Sequence, residues 1–221
     1  MNAEPEVPHT PVIWLWGDSL SAPVFDDEGE DYSWPAQVAR YWKCAFCRQA
    51  RGGLQLTEVV IPPYATAATP AKREPDILCL ALGTNDALKG VSPEDFAAAV
   101  QEPLMAMKRS REDSEAAGDS LRCDVLLPPR YSHDPGMLKL MLPIRKELVA
   151  ASQEHGIGLL NVPWTMPGKG KPYAELTDSW HPNSRLSFMQ ACRMAQLWGL
   201  ESRQDNRASQ GAGQGRGKGK G

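Results

Sequence analysis

Two short stretches, PVIWLW (Pro11–Trp16) and ILCLAL (Ile77–Leu82), are apolar at every position, and each is closed by a glycine, Gly17 and Gly83. A strand with one face in water alternates apolar and polar residues. A strand without alternation is covered on both faces, which is the situation of a parallel sheet packed between helices. The intervening sequence supplies those helices, so the chain is expected to be an α/β domain with helices on both faces of a central parallel sheet of about five strands.

The remaining elements follow from caps and breakers. SWPAQVARYWK opens with Ser33 as a cap and Pro35 in the first turn, and aligns Val38, Tyr41 and Trp42 on one helical face. A strand over 45–48 should follow, ending before Gly52-Gly53. Ser92-Pro93-Glu94-Asp95 starts a helix with a cap, a first-turn proline and acids at its positive end; Pro103 is expected to kink or split it. A strand over 125–127 stops at Pro128-Pro129. A helix over 135–154, interrupted by Pro143, leads through Gly156 into a strand over 157–162. The last helix begins after Pro182-Asn183 and reaches about Leu200. The segment 202–221 lacks large apolar side chains and is dominated by Gly, Gln and charge, so residues 1–201 are expected to form one domain and 202–221 a disordered tail.

With 221 residues, 42% of them hydrophobic, the chain can bury a sizeable single core. A net charge of -3 with both signs interspersed argues against nucleic acid or a membrane surface as the main partner and favours a small molecule. The start, MNAEPEVPHT, has acids and prolines where a secretory signal needs a basic start and an apolar run. No later run is long enough to span a bilayer, so a cytoplasmic location is expected. Five cysteines form an odd set, two of them in buried-strand runs, which fits reduced thiols. Cys44-x-x-Cys47 lacks a second pair at zinc-finger spacing, and the acidic run Asp26 to Asp31 lacks the spacing of a calcium loop. No metal or cofactor is expected.

In parallel α/β sheets chemistry collects in the loops beyond the carboxyl ends of strands. Gly17-Asp18-Ser19, Gly52-Gly53 and Gly83-Thr84-Asn85-Asp86 occupy such places. Ser19 is either a nucleophile or part of a polar turn, and a serine nucleophile needs a histidine to take its proton. The chain has four histidines. His9 lies in a loose N-terminus, and His155 ends a helix where it meets a favourable dipole. Ser132-His133-Asp134 contains the three triad residue types side by side, but adjacent side chains diverge, so it reads as a polar turn before Pro135. His181 follows Asp178 by three residues, a spacing that lets the carboxylate fix the tautomer of the imidazole; the competing reading is a helix-capping acid beside a surface histidine. For an oxyanion, the N–H of Gly53 and the side-chain amide of Asn85 are candidate donors, set against a plain turn and a helix cap.

Taken together, Gly17-Asp18-Ser19-Leu20, Gly53, Gly83-Thr84-Asn85-Asp86 and Asp178-Ser179-Trp180-His181-Pro182-Asn183 resemble, in order, the sequence blocks of the GDSL esterases and lipases, or SGNH hydrolases. The resemblance implies a three-layer α/β/α fold of flavodoxin-like type and hydrolysis through an acyl-enzyme. Ser19 would attack, His181 serve as base and then acid, and Asp178 orient the ring. The backbone N–H groups of Ser19 and Gly53 and the side chain of Asn85 would form the oxyanion hole, and Asp18 would brace the loop. The family's second block usually has an asparagine ahead of its glycine, whereas this chain reads FCRQARGGLQL, which leaves Gly52 and Gly53 both open as the donor.

The expected activity is therefore hydrolysis of carboxylic esters with small or short-chain acyl groups. The alternative is a non-catalytic domain of the same fold whose basic tail contacts RNA or protein. Trp14, Trp16, Trp34 and Trp42 read as core, while Trp180 is placed to line a substrate cleft.

Overall fold

The computed structural model describes residues 9–61, 74–130, 134–162 and 181–200. Strand β1 (Val12–Gly17) leads through a loop to helix α1 (Trp34–Tyr41) and strand β2 (Ala45–Ala50). Strand β3 (Ile77–Ala81), helices α2 (Thr84–Leu88) and α3 (Pro93–Ala116), strand β4 (Arg122–Leu126), helix α4 (Pro135–His155), strand β5 (Gly158–Leu160) and helix α5 (Ser184–Trp198) complete the order. All strand pairs are parallel, and the sheet runs β2-β1-β3-β4-β5. This is the flavodoxin-like arrangement, in which the chain moves outward from β1 to β2 and then crosses back to β3.

The absence of alternation in β1 has the expected cause. Successive side chains point to opposite faces, and both faces are covered. Val12, Trp14 and Trp16 enter one core with Phe96, Val100, Leu104 and Met107 of α3 and Met141, Ile144 and Leu148 of α4. Ile13 and Leu15 enter the other, with Trp34 and Val38 of α1 and Ala191, Met194 and Trp198 of α5. The sheet is thus the middle of three layers. Trp14, Trp16 and Trp34 are buried, and Trp42 is half-buried against Tyr41 and Phe188 where α1 meets α5.

Several local expectations change. Helix α3 runs unbroken through Pro103, and α4 through Pro143. A proline forfeits one backbone hydrogen bond, but buried residues surround both: Val100, Leu104 and Met107 near Pro103, and Met141 and Ile144 near Pro143. Ser33 occupies the cap position of α1 without a capping bond, because its hydroxyl accepts from Arg48 Nη1 at 2.8 Å. Ser92 and Asn183 do cap α3 and α5, accepting from the Asp95 and Leu186 N–H groups. Asp134 caps α4 in the same way, as the polar-turn reading of that stretch requires. His9 is not loose: its Nε2 lies 2.6 Å from Asp76 Oδ1. His155 stands in the last turn of α4, with Nε2 2.7 Å from Gln101 Oε1. All five cysteines are free thiols. Ser132, His133, Trp180 and the tail 202–221 lie outside the described residues. Among the described residues no helix is long and apolar enough to cross a membrane.

Candidate active site

Ser19, the Gly52-Gly53 turn and Asn85 follow β1, β2 and β3 in turn, at the point where the connections leave the sheet in opposite directions. In sheets of this order such a switch point is where a crevice generally opens, because no crossover covers it. The Ser19 loop is held from within. Asp18 N–H donates to the Ala81 carbonyl (3.3 Å), the Asp18 carbonyl accepts from the N–H groups of Ser21 and Ala22 (both 3.0 Å), and Asp18 Oδ1 accepts from Leu20 N–H at 2.9 Å. Gly17 is required sterically: a Cβ there would stand 2.6 Å from the Ser21 Cβ.

Half-buried Ser19 meets His181 across 162 residues of sequence, with His181 Nε2 3.0 Å from Ser19 Oγ. At that distance the serine hydroxyl can donate to a neutral imidazole. His181 stands just ahead of α5, and Pro182 and the Asn183 cap fix where that helix begins. The polar-turn reading of Ser19 has no need of such a partner. Asp178, the acid expected to orient the ring, lies outside the described residues.

Asp18 is almost wholly buried. Burial pushes its carboxyl up to about 6, against the Leu20 N–H, the Thr84 hydroxyl and the charge of His181, which all favour the ionised form. An acid whose pKa is higher folded than unfolded binds extra protons in the folded state. Its stabilising contribution is full below the unfolded value of 3.8 and is lost as pH rises through 6. Asp18→Asn keeps an oxygen for Leu20 and removes the titration. The stability difference, variant minus parent, should therefore rise by about 2 kcal/mol between pH 4 and pH 8. Thermal unfolding of both proteins across that range checks it; a difference independent of pH refutes the assignment.

The two candidate glycines differ in conformation. Gly53 has φ +76°, in the left-handed region, whereas Gly52 has an ordinary φ; the turn is closed by Leu54 N–H donating to the Arg51 carbonyl at 3.3 Å. Among the described residues no acceptor takes the N–H of Ser19, Gly52 or Gly53. Asn85 is not a cap, since Gly83 holds the cap position of α2. It sits in the first turn of α2, half-buried, with Nδ2 donating to the Leu54 carbonyl at 3.1 Å, which leaves its second amide hydrogen for another acceptor. Arg48, near where the family's asparagine is expected, turns to the acidic loop instead, with Nη2 2.7 Å from Asp31 Oδ2.

Two members of the Gly83-Thr84-Asn85-Asp86 block support the site in ways that left no sign in the sequence. Asp86 is buried, and both of its carboxylate oxygens lie 3.2 Å from Leu56 N. Thr84 reaches Asp18 from the first turn of α2. Neither contact is visible without knowing that β1, β2 and β3 are adjacent. Among the described residues no three His, Cys, Asp or Glu side chains cluster as metal ligands would.

Known proteins share this architecture. A protein from Desulfitobacterium hafniense assigned to the lipolytic G-D-S-L family superposes with a TM-score of 0.60 at 17% identity, covering 86% of this chain and 99% of its own. The aryl esterase of M. smegmatis gives 0.58 at 16% identity, covering 86% and 100%. A carbohydrate acetylesterase from Sinorhizobium meliloti gives 0.57 at 15%, covering 86% and 98%. No curated protein matches the sequence. The profile of the GDSL-like lipase/acylhydrolase family matches residues 15–186. That span runs from the strand before Ser19 to the helix after His181, and the chain belongs to the GDSL-like lipase/acylhydrolase family.

Proposed function

We propose that this protein is a serine esterase that hydrolyses carboxylic esters of small or short-chain acyl groups through an acyl-enzyme. The observation that carries the reading is the 3.0 Å approach of His181 Nε2 to Ser19 Oγ. In this reading Ser19 Oγ attacks the ester carbonyl carbon while His181 takes the hydroxyl proton. The resulting oxyanion is met by the N–H groups of Ser19 and Gly53 and by Asn85 Nδ2. Collapse breaks the bond to the alcohol oxygen, which leaves with the proton from His181. Water then repeats the cycle on the acyl-enzyme and frees the acid. Asp178 holds the imidazole in the tautomer that presents a lone pair to Ser19. The family match and the neighbouring aryl esterase and acetylesterase support an ester substrate of modest size.

A p-nitrophenyl alkylphosphonate tests the covalent step. Ser19 Oγ should displace one p-nitrophenolate per chain, and the phosphonyl mass should reside on the peptide containing Ser19. Turnover across p-nitrophenyl acetate to decanoate should be greatest at the short end. No stoichiometric release and no labelled peptide would overturn the reading in favour of a non-catalytic binding domain; a maximum at long chains would overturn the acyl-length assignment.

A further inference from the structure

The turn that carries Gly53 is exposed over residues 51–53, and nothing lies within 4 Å of where a Gly53 Cβ would be, so packing acts only on the buried Leu54 at its end and not on Gly53 itself. A donor for a developing oxyanion works only if it is aimed beforehand. What fixes this turn is a row of bonds from α2 and the residue after it. Asn85 Nδ2 holds the Leu54 carbonyl, and the Asp86 carboxylate holds Leu56 N–H. Lys89 Nζ donates to the Gly53 carbonyl at 3.2 Å and to Gln55 Oε1 at 2.7 Å. Gln55 is itself fixed, because its N–H donates to Glu58 Oε2 at 3.0 Å.

We infer that Lys89 is a positioning residue of the oxyanion hole, holding the Gly53 peptide so that the preceding N–H faces the reacting carbonyl. Of the groups in the row it alone grips Gly53 itself. It projects from the C-cap position of α2, the helix that also presents Asn85, so one short helix sets the spacing between the side-chain donor and the backbone donor. The inference rests on the proposed esterase reading, in which Gly53 is such a donor.

The test compares Lys89→Met and Lys89→Arg with the parent on p-nitrophenyl butyrate, with Ser19→Ala alongside. Because Lys89 is exposed, both variants should fold, and equal melting temperatures check this. Lys89→Met should lose about tenfold in kcat with KM within about twofold of the parent, the scale of one hydrogen bond to a polar group. An alkylboronic acid, which forms a tetrahedral adduct on the serine, should lose affinity by the same factor. Lys89→Arg should recover part of both. An unchanged kcat in Lys89→Met beside an inactive Ser19→Ala overturns the inference and leaves the esterase reading standing. A change confined to KM, or equal losses in Met and Arg, overturns it as well. Full activity in Ser19→Ala brings down the esterase reading itself, and this inference with it.

Discussion

Ser19→Ala is expected to lower kcat for p-nitrophenyl acetate by about 10⁵-fold or more while leaving the melting temperature within a few degrees of the parent. The side chain is half-buried in a loop whose backbone is held by Asp18, so removing its hydroxyl leaves the surrounding bonds intact. His181→Ala should be nearly as severe, because an unactivated hydroxyl is a poor nucleophile at neutral pH. The two groups act on one proton, so their effects are not additive: the double variant should be no slower than Ser19→Ala alone within about threefold. Steady-state rates of the three variants, with active-site titration of the parent, decide the matter. Undiminished turnover in Ser19→Ala, or losses that multiply in the double variant, would contradict a shared proton.

The second large effect falls on Asn85. Removing one preorganised oxyanion donor costs about 10²–10³-fold in kcat, and Asn85→Ala should show that loss with KM little changed. Asn85 also ties down the Leu54 carbonyl, so a loss in the alanine variant alone does not separate donor from brace. Asn85→Asp tests the donor role through charge, since aspartate loses the bond to the Leu54 carbonyl just as alanine does. Aspartate brings a negative charge to the place where a second one forms, and as a carboxylate it has no N–H to donate. It should therefore be slower than alanine at pH 8, and the gap between the two variants should narrow as pH falls and the carboxyl is protonated. An aspartate variant no slower than the alanine variant at pH 8 would mean that no negative charge develops beside position 85.

Much of the architecture was legible because its causes are local. Unbroken apolar runs such as Val12–Gly17 and Ile77–Ala81 mark strands buried on both faces, and Ser92-Pro93 and Pro182-Asn183 carry their own start signals. The misreadings were also local rules overruled by distant partners. Pro103 was expected to kink or split α3; the helix is not split, and residues far away in the sequence bury the proline's neighbours. Ser33 was expected to cap α1, but Arg48 of β2 takes its hydroxyl. Helix α2 went unread because five residues carry too little periodicity to be seen.

By itself the sequence determined which segments are strands, which glycines stand at their ends, and which serine and histidine are candidates for a shared site. Those properties depend on side-chain polarity and backbone freedom over a few neighbouring residues. Only the tertiary structure decided that Ser19 and His181 touch, that Gly53 takes the left-handed φ, and that α2 clasps the turn beside it. These depend on strand order. Placing β1 between β2 and β3 brings three loop ends together, and no interaction within any one loop fixes that order.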